Sequence, residues 1–291
     1  MLIYILSRGP RLYSTSKLFS QAEKRRHNVR VIDHMECDLL IESGQYKVVF
    51  NNEVLLKPDM VIPRIGSSAT YYGTSVVRHF EMMGALVLNS SIGIQNSRDK
   101  FRSLQILMAN HIRVPTTFFS YDMHYAKRIV EQKLGYPFII KVLEGTQGEG
   151  VFLIDTEDEA ERVLSTMTSK KVKIMLQEFI REFKGKDIRA LVVGNEVVGA
   201  YMRMAKGDDF RSNIHLGGKG VAVVLTEEEK KLAVDSVKCL GLQVAGVDIL
   251  RSARGPMVIE VNSSPGLEGI ETFTGINIAE KIIDFTEKLR L

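Results

Sequence analysis

Only two cysteines, Cys37 and Cys239, occur in 291 residues; they lie far apart and form no CxxC pair. Neither has a nearby sequence partner for a zinc site, so both read as ordinary buried thiols. Long apolar runs are missing as well, since the longest are strand length and none reads as a membrane span. The opening MLIYILSRGP has no basic leader and no cleavage site, which sets the expectation of a soluble cytoplasmic protein without a membrane partner. Charge of one sign is also scarce. The net charge is +4, with lysine and arginine spread along the chain instead of gathered into a tail or stripe. That balance suits small anionic substrates better than direct contact with nucleic acid.

Several catalytic signatures are absent too. No GxGxxG follows the first strand, so a dinucleotide fingerprint is missing. Ser97-Arg-Asp-Lys100 matches SxxK but has no SDN or KTG partner, and Ser97 reads as a helix cap. The histidines are scattered, none makes HxxxH, and His215 reads as a polar loop contact. What is present is 45% hydrophobic residues, enough for a substantial core.

Three units follow from the pattern. Residues 1–95 alternate strand (LIYIL), helix (SKLFSQAEKRRH), strands (VRVID, DMVIP), a helix near 69–83 and a strand in ALVLN, which is an open α/β sheet. Residues 96–180 read as an α+β unit: a helix through KFRSLQILMANH, a strand in VPTTFF, a helix near 123–134, then PFIIKV, a glycine loop, VFLID, the helix TEDEAERVLSTM and the strand KIMLQEFI. Residues 181–291 give two strands about Gly194-Asn195, the helix TEEEKKLAVDSVKCLGL and a hairpin in GVDILRSARGPMVIEVN.

The hairpin carries charge where strands bury apolar groups. Period-two counting puts Val247, Ile249, Ile259 and Val261 on one face and Asp248, Glu260 and Asn262 on the other. A loop centred on Arg254 sets Asp248 directly opposite Glu260, and like charges so paired repel. A hard divalent cation such as Mg²⁺ removes the repulsion by taking carboxylate and amide oxygens; the plain alternative is a solvated sheet face.

Upstream, EGTQGEG (144–150) lies between two strands, so it is no Walker loop, but its glycines can lay backbone N–H groups over phosphates. Lys141 interrupts the apolar FIIKV and needs an anionic partner. An ordinary turn with a snorkelling lysine is the plain alternative. The strand end Gln177 to Ile180 could give adenine backbone partners, with Glu178 able to bond the adenine amine, Asp187 the ribose hydroxyls, and Phe179 and Ile180 offering apolar and main-chain contact, but as isolated residues these carry no weight. RMAKGDDFRSNIHLGG, from Arg203, is polar and irregular and fits a surface loop as well as a binding loop. Arg64, between apolar residues and a glycine in VIPRIG, fits either a substrate carboxylate or an internal pair and stays outside the assigned sites.

Taken together, Lys100, Lys141, EGTQGEGV, QEFI, DIRALVVG, DDFRSNIHLGG, GVDIL and IEVNSSPGLEGIE make the chain resemble the ATP-grasp ligases, and closely their RimK-type glutamate ligases, across essentially its whole length. The resemblance implies an N-terminal α/β domain followed by an α+β ATP-grasp fold, whose two subdomains clamp ATP. It implies Lys100 and Lys141 as nucleotide lysines, Glu178, Phe179 and Ile180 as the adenine edge and Asp187 as the ribose contact. It also implies Arg211, Ser212 and Asn213 at the phosphate and metal end, and Asp248, Glu260 and Asn262 as ligands of Mg²⁺, with Mn²⁺ as an alternative. Arg203 and Arg211 are the candidate catalytic arginines, suited to bidentate oxyanion contact. The implied partners are glutamate and an acceptor that is a ribosomal protein C-terminus or oligoglutamate, in a homo-oligomer. Ligases for a pterin-type cofactor or an amino-group carrier protein share the architecture. A non-catalytic nucleotide-gated module is the reading from another class, and it leaves an intact metal triad idle.

Overall fold

The alternation of apolar residues in the first strand buries both of its sides. β1 (Leu2–Leu6), β2 (Asn28–Ile32), β6 (Met60–Pro63) and β7 (Leu86–Val87) form a parallel sheet in the order β2-β1-β6-β7. Ile3, Ile5, Met60 and Ile62 meet Leu18 and Ala22 of α1 (Tyr13–Lys24), while Tyr4, Leu6 and Val61 meet Val76, Val77 and Phe80 of α2 (Thr70–Met82). Strands covered on both faces read as continuous apolar runs, which is what LIYIL and MVIP are. The computed structural model describes residues 1–119, 125–143, 150–207, 209–212 and 217–290.

Between β2 and β6 the chain adds an antiparallel sheet absent from the sequence reading: β3 (Cys37–Glu42), β4 (Gln45–Phe50) and the short β5 (Glu53–Val54). Its signal was Ser43-Gly44, both at positive φ, the two-residue turn that joins twisted strands.

β8 (Thr117–Phe119), β9 (Phe138–Val142), β10 (Val151–Ile154) and β11 (Ile174–Glu178) form an antiparallel sheet in the order β10-β9-β11-β8. Phe138 and Ile140 of β9 pack on Ala126, Val130, Ala160 and Leu164 from the helical layer, α5 (Ala126–Ile129) with its continuation to Leu134 and α6 (Glu157–Ser169). By alternation Lys141 stands on the other face of β9, away from those helices.

A five-stranded antiparallel sheet, order β14-β13-β12-β15-β16, completes the chain: β12 (Lys186–Val193), β13 (Glu196–Met204), β14 (Lys219–Ala222), β15 (Val244–Ser252) and β16 (Gly255–Asn262). One face packs on Ala233 and Val237 of α7 (Glu227–Cys239) and on Leu104 and Leu107 of α4 (Lys100–Ala109). On the other, Leu191, Val193 and Val244 share a core with Ile3, Ile5 and α9 (Ile278–Lys288), so the first and last sheets are fused through one apolar cluster.

Helix starts differ from the sequence reading at one point. α3 (Ser91–Arg98) ends at Asp99, whose side chain caps α4 by accepting from Arg102 N–H at 3.0 Å. Ser97 is therefore not the cap; it is buried and its hydroxyl donates to the Ile94 carbonyl at 2.9 Å. A carboxylate at the N-terminus both accepts that N–H and opposes the helix dipole, which a hydroxyl two residues inside the preceding turn cannot do. No helix among the described residues is long and apolar enough to cross a membrane.

Asn89, just after β7, is 2% exposed and joins the first sheet to the hairpin strands. Its Nδ2 donates to Val244 O at 2.6 Å and Ser263 O at 2.8 Å, and its Oδ1 accepts from the N–H groups of Gln243 and Val244 at 2.8 and 2.9 Å. Asn89 holds a φ of +84°, a conformation asparagine tolerates better than most residues. Asn89→Ala is expected to lose roughly 2–5 kcal/mol of stability, because buried backbone groups lose their partners. Denaturant unfolding of the two proteins measures it; equal midpoints would show that the clasp is dispensable.

Candidate active site

The acidic pair forms by a route other than the symmetrical one. Ser252 pairs with Gly255 across the turn Ala253-Arg254, one step off a loop centred on Arg254. A bulge then skips Ile259, which returns Asp248 to its place opposite Glu260 and sets Gly246 opposite Asn262. The bulge also changes the dry face. Val258, not Ile259, joins Val247, Ile249 and Val261 in the core, because the extra residue shifts the alternation by one.

Asp248 is 3% exposed and is held by two guanidiniums. Arg189, its neighbour on β12, donates from Nε to Oδ1 at 2.5 Å and from Nη2 to Oδ2 at 2.6 Å. Arg203 on β13 lies 2.9 Å from Oδ2 and forks onto Asp187, directly opposite it, with both bonds at 2.6 Å. Burial works against the charge on Asp248, but Arg189 and Arg203 outweigh it and hold its carboxyl below the usual range. Burial likewise opposes the charge on Arg203, and Asp248 and Asp187 outweigh it, raising its affinity for the proton. Asp187, Arg189, Arg203 and Asp248 thus form a continuous ion-pair chain across three strands.

Glu260 is left out of that chain. It is exposed, and among the described residues no hydrogen bond or ion pair engages it. Lys141 and Arg98 both lie within its field. Burial lowers the affinity of Lys141 for its proton, with Glu260 opposing that and the nearby Lys100 adding to it. The Lys100 ammonium donates to the Leu143 carbonyl at 3.3 Å. Lysines of the central unit and the acidic hairpin therefore lie within one another's field.

The donor set fits a hard cation. Glu260 offers an uncommitted carboxylate and Asn262 an amide, while both oxygens of Asp248 already accept from arginine. Among the described residues no three of His, Cys, Asp and Glu gather in a metal cage. Mg²⁺ needs none, since it binds through one or two carboxylates and fills its octahedron with water and phosphate oxygens.

The strand end that the sequence reading offered to adenine is held by contacts that sequence did not show. Glu178 accepts from Thr116 N–H at 3.2 Å and from Arg254 at the hairpin tip. Burial opposes its charge, but Arg254 and Thr116 outweigh it and hold its carboxyl low. Phe179 is partly buried and Ile180 nearly fully buried. Arg211 forks onto Asp209, at 3.2 and 3.0 Å, and is partly exposed, while Ser212 is buried. Asn213, His215 and most of the glycine-rich loop, 144–149, lie outside the described residues.

Arg189, Arg254 and Arg98 were not singled out from sequence. Arg189 had a signal: it interrupts the apolar DIRALVV just as Lys141 interrupts FIIKV, two residues from Asp187 and so on the same face. Arg254 and Arg98 had none, because their roles depend on which strands and helices meet.

Residues 97–286 match the family model described as the RimK-like ATP-grasp domain, and residues 1–94 that of the RimK PreATP-grasp domain. The chain is 51% identical over 288 residues to a "Probable alpha-L-glutamate ligase" of Syntrophotalea carbinolica, covering 99% of this chain and 96% of the relative. A protein of the same name from Hydrogenovibrio crunogenus is 50% identical over the same 99% and 96%. The fold is that of the ATP-grasp ligase PsnB complexed with minimal precursor, with TM-score 0.78, 19% identity, and 100% and 99% of the two chains covered. It is also that of a RimK domain protein from Sphaerobacter thermophilus, with TM-score 0.70, 20% identity, and coverage of 98% and 99%.

The ion-pair chain changes what a charge-removing substitution at Asp248 should do. Asp248→Asn leaves two largely buried guanidiniums short of an anion and is expected to cost about 3–5 kcal/mol, whereas Glu260→Gln should stay within about 0.5 kcal/mol of wild type. Because the Asp248 pKa is lower folded than unfolded, its contribution is present above the unfolded value of about 3.9 and is lost as pH falls through the folded one. The gap between wild type and Asp248→Asn should therefore narrow in acid. Urea midpoints at pH 7 and below pH 4 measure both effects, and a variant as stable as wild type at pH 7 would remove the network from the account.

Proposed function

Because this chain belongs to the RimK-like ATP-grasp family, we propose that it is an ATP- and Mg²⁺-dependent ligase that joins the amine of L-glutamate to a carboxylate acceptor, either the C-terminus of a small-subunit ribosomal protein or a growing glutamate chain. The observation that carries this reading is the meeting of Lys141 and Lys100 with Glu260 and Asp248, cations from one unit facing carboxylates from another. Such a site suits a polyanion and a divalent cation together, since Lys141 and Glu260 form no hydrogen bond or ion pair among the described residues.

In this reading the acceptor carboxylate attacks the γ-phosphorus of ATP, giving an acyl phosphate and releasing ADP. The glutamate amine then attacks the acyl carbon, and phosphate leaves as the amide forms and the amine loses its protons. No serine or cysteine nucleophile is required. Mg²⁺, held by Glu260 and Asn262 with Asp248 behind them, would offset charge on the phosphates. Lys141 and Lys100 bind those phosphates, and Glu178, Phe179, Ile180 and Asp187 bind the nucleoside. Ser212 and Asn213 belong to the same phosphate end. Of the two arginines assigned to the transferred group, Arg211 has the exposure to reach it. Arg203 acts through Asp187 and Asp248, fixing both carboxylates, and is a positioning residue.

Binding and chemistry should separate on substitution. Lys141→Ala is expected to raise the ATP concentration needed for half-maximal rate, because its contact exists in the ground state. Arg211→Ala is expected to lose roughly a hundredfold to a thousandfold in kcat at near-normal ATP affinity, as removal of one preorganised donor to developing charge costs ~2.7–4 kcal/mol. Single-turnover rates at saturating ATP with glutamate and an oligoglutamate acceptor, beside direct ATP titrations, test both. No ADP formation with any acceptor would overturn the ligase reading.

A further inference from the structure

In the parallel sheet, chain connection runs from β1 outward to β2 and then back across to β6, so the carboxyl ends of β1 and β6 border the point where strand order reverses. Open α/β sheets bind ligands in the crevice at such a point. The segments leaving those two strands are Ser7-Arg8-Gly9 and Arg64-Ile65-Gly66, tied together by Arg64 N–H to Leu6 O at 2.8 Å and by Arg8 to the Ser68 hydroxyl at 3.3 Å. Gly66 and Gly266 on the facing loop are exposed with open space around them, so the crevice has a mouth.

Two guanidiniums lie in its floor without an anion. Arg64 donates from Nη2 to the Pro265 carbonyl at 2.6 Å, and Arg98 donates from Nη2 to the Ile65 carbonyl at 2.5 Å. Neither pairs with a carboxylate among the described residues. Burial and the charge of Arg98 push Arg64 down to about 10, and burial lowers Arg98 as well. Adjacent partly desolvated like charges are unstable unless an anion joins them. Arg98 Nε is itself buried with no partner, and so are Asn262 Nδ2 and the hydroxyls of Ser263 and Ser264, in the segment that leads to Pro265. Among the described residues Arg64 has an internal hydrogen bond to Pro265 O but no ion pair.

We propose that this crevice is the subsite for a carboxylate of the incoming glutamate, with Arg64 and Arg98 as its cations and Ser263 and Ser264 as additional donors. The inference rests on the glutamate-ligase reading and names where that substrate sits. Arginine suits the role because its planar fork matches a carboxylate in two bonds. Arg98 also lies in the field of Glu260, so the crevice adjoins the acidic hairpin. The nucleotide phosphates are already served by Lys100 and Lys141.

The test uses Arg64→Gln, which keeps an amide donor for Pro265 O, and Ser264→Ala, which removes only a partnerless hydroxyl and serves if the first variant misfolds. Arg64→Gln is expected to raise the glutamate KM roughly 10- to 100-fold and Ser264→Ala severalfold, with ATP affinity by direct titration within twofold of wild type. Wild type should reject glutamine or the α-amide of glutamate, and Arg64→Gln should lose that rejection. Folded variants with unchanged glutamate KM and unchanged discrimination would overturn the subsite while the ligase stands. A matching loss of ATP affinity would overturn it in favour of a phosphate site. Should wild type ligate no glutamate, the parent reading fails, and equilibrium titration of glutamate in the presence of a non-hydrolysable ATP analogue judges the subsite alone. Binding by wild type and not by Arg64→Gln supports it, and equal binding overturns it.

Discussion

The chain of ion pairs Asp187–Arg203–Asp248–Arg189 is the constraint on which the candidate active site depends. Each member stands opposite another across neighbouring strands, so backbone register alone brings the four together. Charges removed from water cost several kcal/mol each, and a well-formed pair only offsets that cost. A sheet face bearing hydrophobic residues would be at least as stable. The network is therefore better understood as a device for position. It locks two carboxylates in single rotamers, and it neutralises them so that Glu260, in the next strand, carries the uncompensated charge at the cleft. The like-charge clash between Asp248 and Glu260 is removed by arginine before any cation arrives. Under the proposed function, a metal ion would then be free to act on the nucleotide phosphates.

A second constraint ties that hairpin to the first domain. Asn89 grips the start of β15 and the residue after β16, and a shared apolar core runs from β1 through α9 to β12. Arg64 and Arg98 reach the Pro265 loop and the Ile65 carbonyl from the same side. The end of β6 and the end of α3 set Arg64 and Arg98 beside the loop that follows Asn262 and beside the Ile65 carbonyl, so this part of the structure depends on the fusion of two sheets.

Much of this was legible in the sequence, and the failures have physical causes. Period-two alternation found the acidic face and the opposition of Asp248 and Glu260, because side chains alternate in any strand. It missed the bulge at Ile259, since a bulge changes register without changing composition. It missed β3 and β4, whose solvent-facing residues dilute the apolar signal and whose Ser43-Gly44 turn was passed over. Ser97 was preferred to Asp99 as the cap because a motif drew attention to it, although the carboxylate was the better acceptor. Lys141 was found as a lysine inside an apolar strand, and the same rule applied to Arg189 would have exposed the ion-pair chain. Arg64, Arg98 and Arg254 could not be placed, since their partners come from segments distant in sequence that only the fold brings near.

The distribution of cation types follows the chemistry each wall meets. The central unit, with the start of α4, contributes lysines, compact charges on flexible stems, which under the proposed function would meet phosphates. The two outer sheets contribute arginines, whose rigid forks are matched to planar carboxylates that stay where they are: Asp187 and Asp248 inside the protein, and Glu178 at the end of β11, met by Arg254 from the hairpin tip. Arg64 and Arg98 break this rule only in having no carboxylate of the protein to hold. Arginine in place of Lys141, or lysine in place of Arg189 or Arg203, would preserve the charge and lose the match, since a planar fork is not a compact charge and an ammonium cannot fix the plane of a carboxylate. The same net charge thus supports two functions, divided between the walls by side-chain shape.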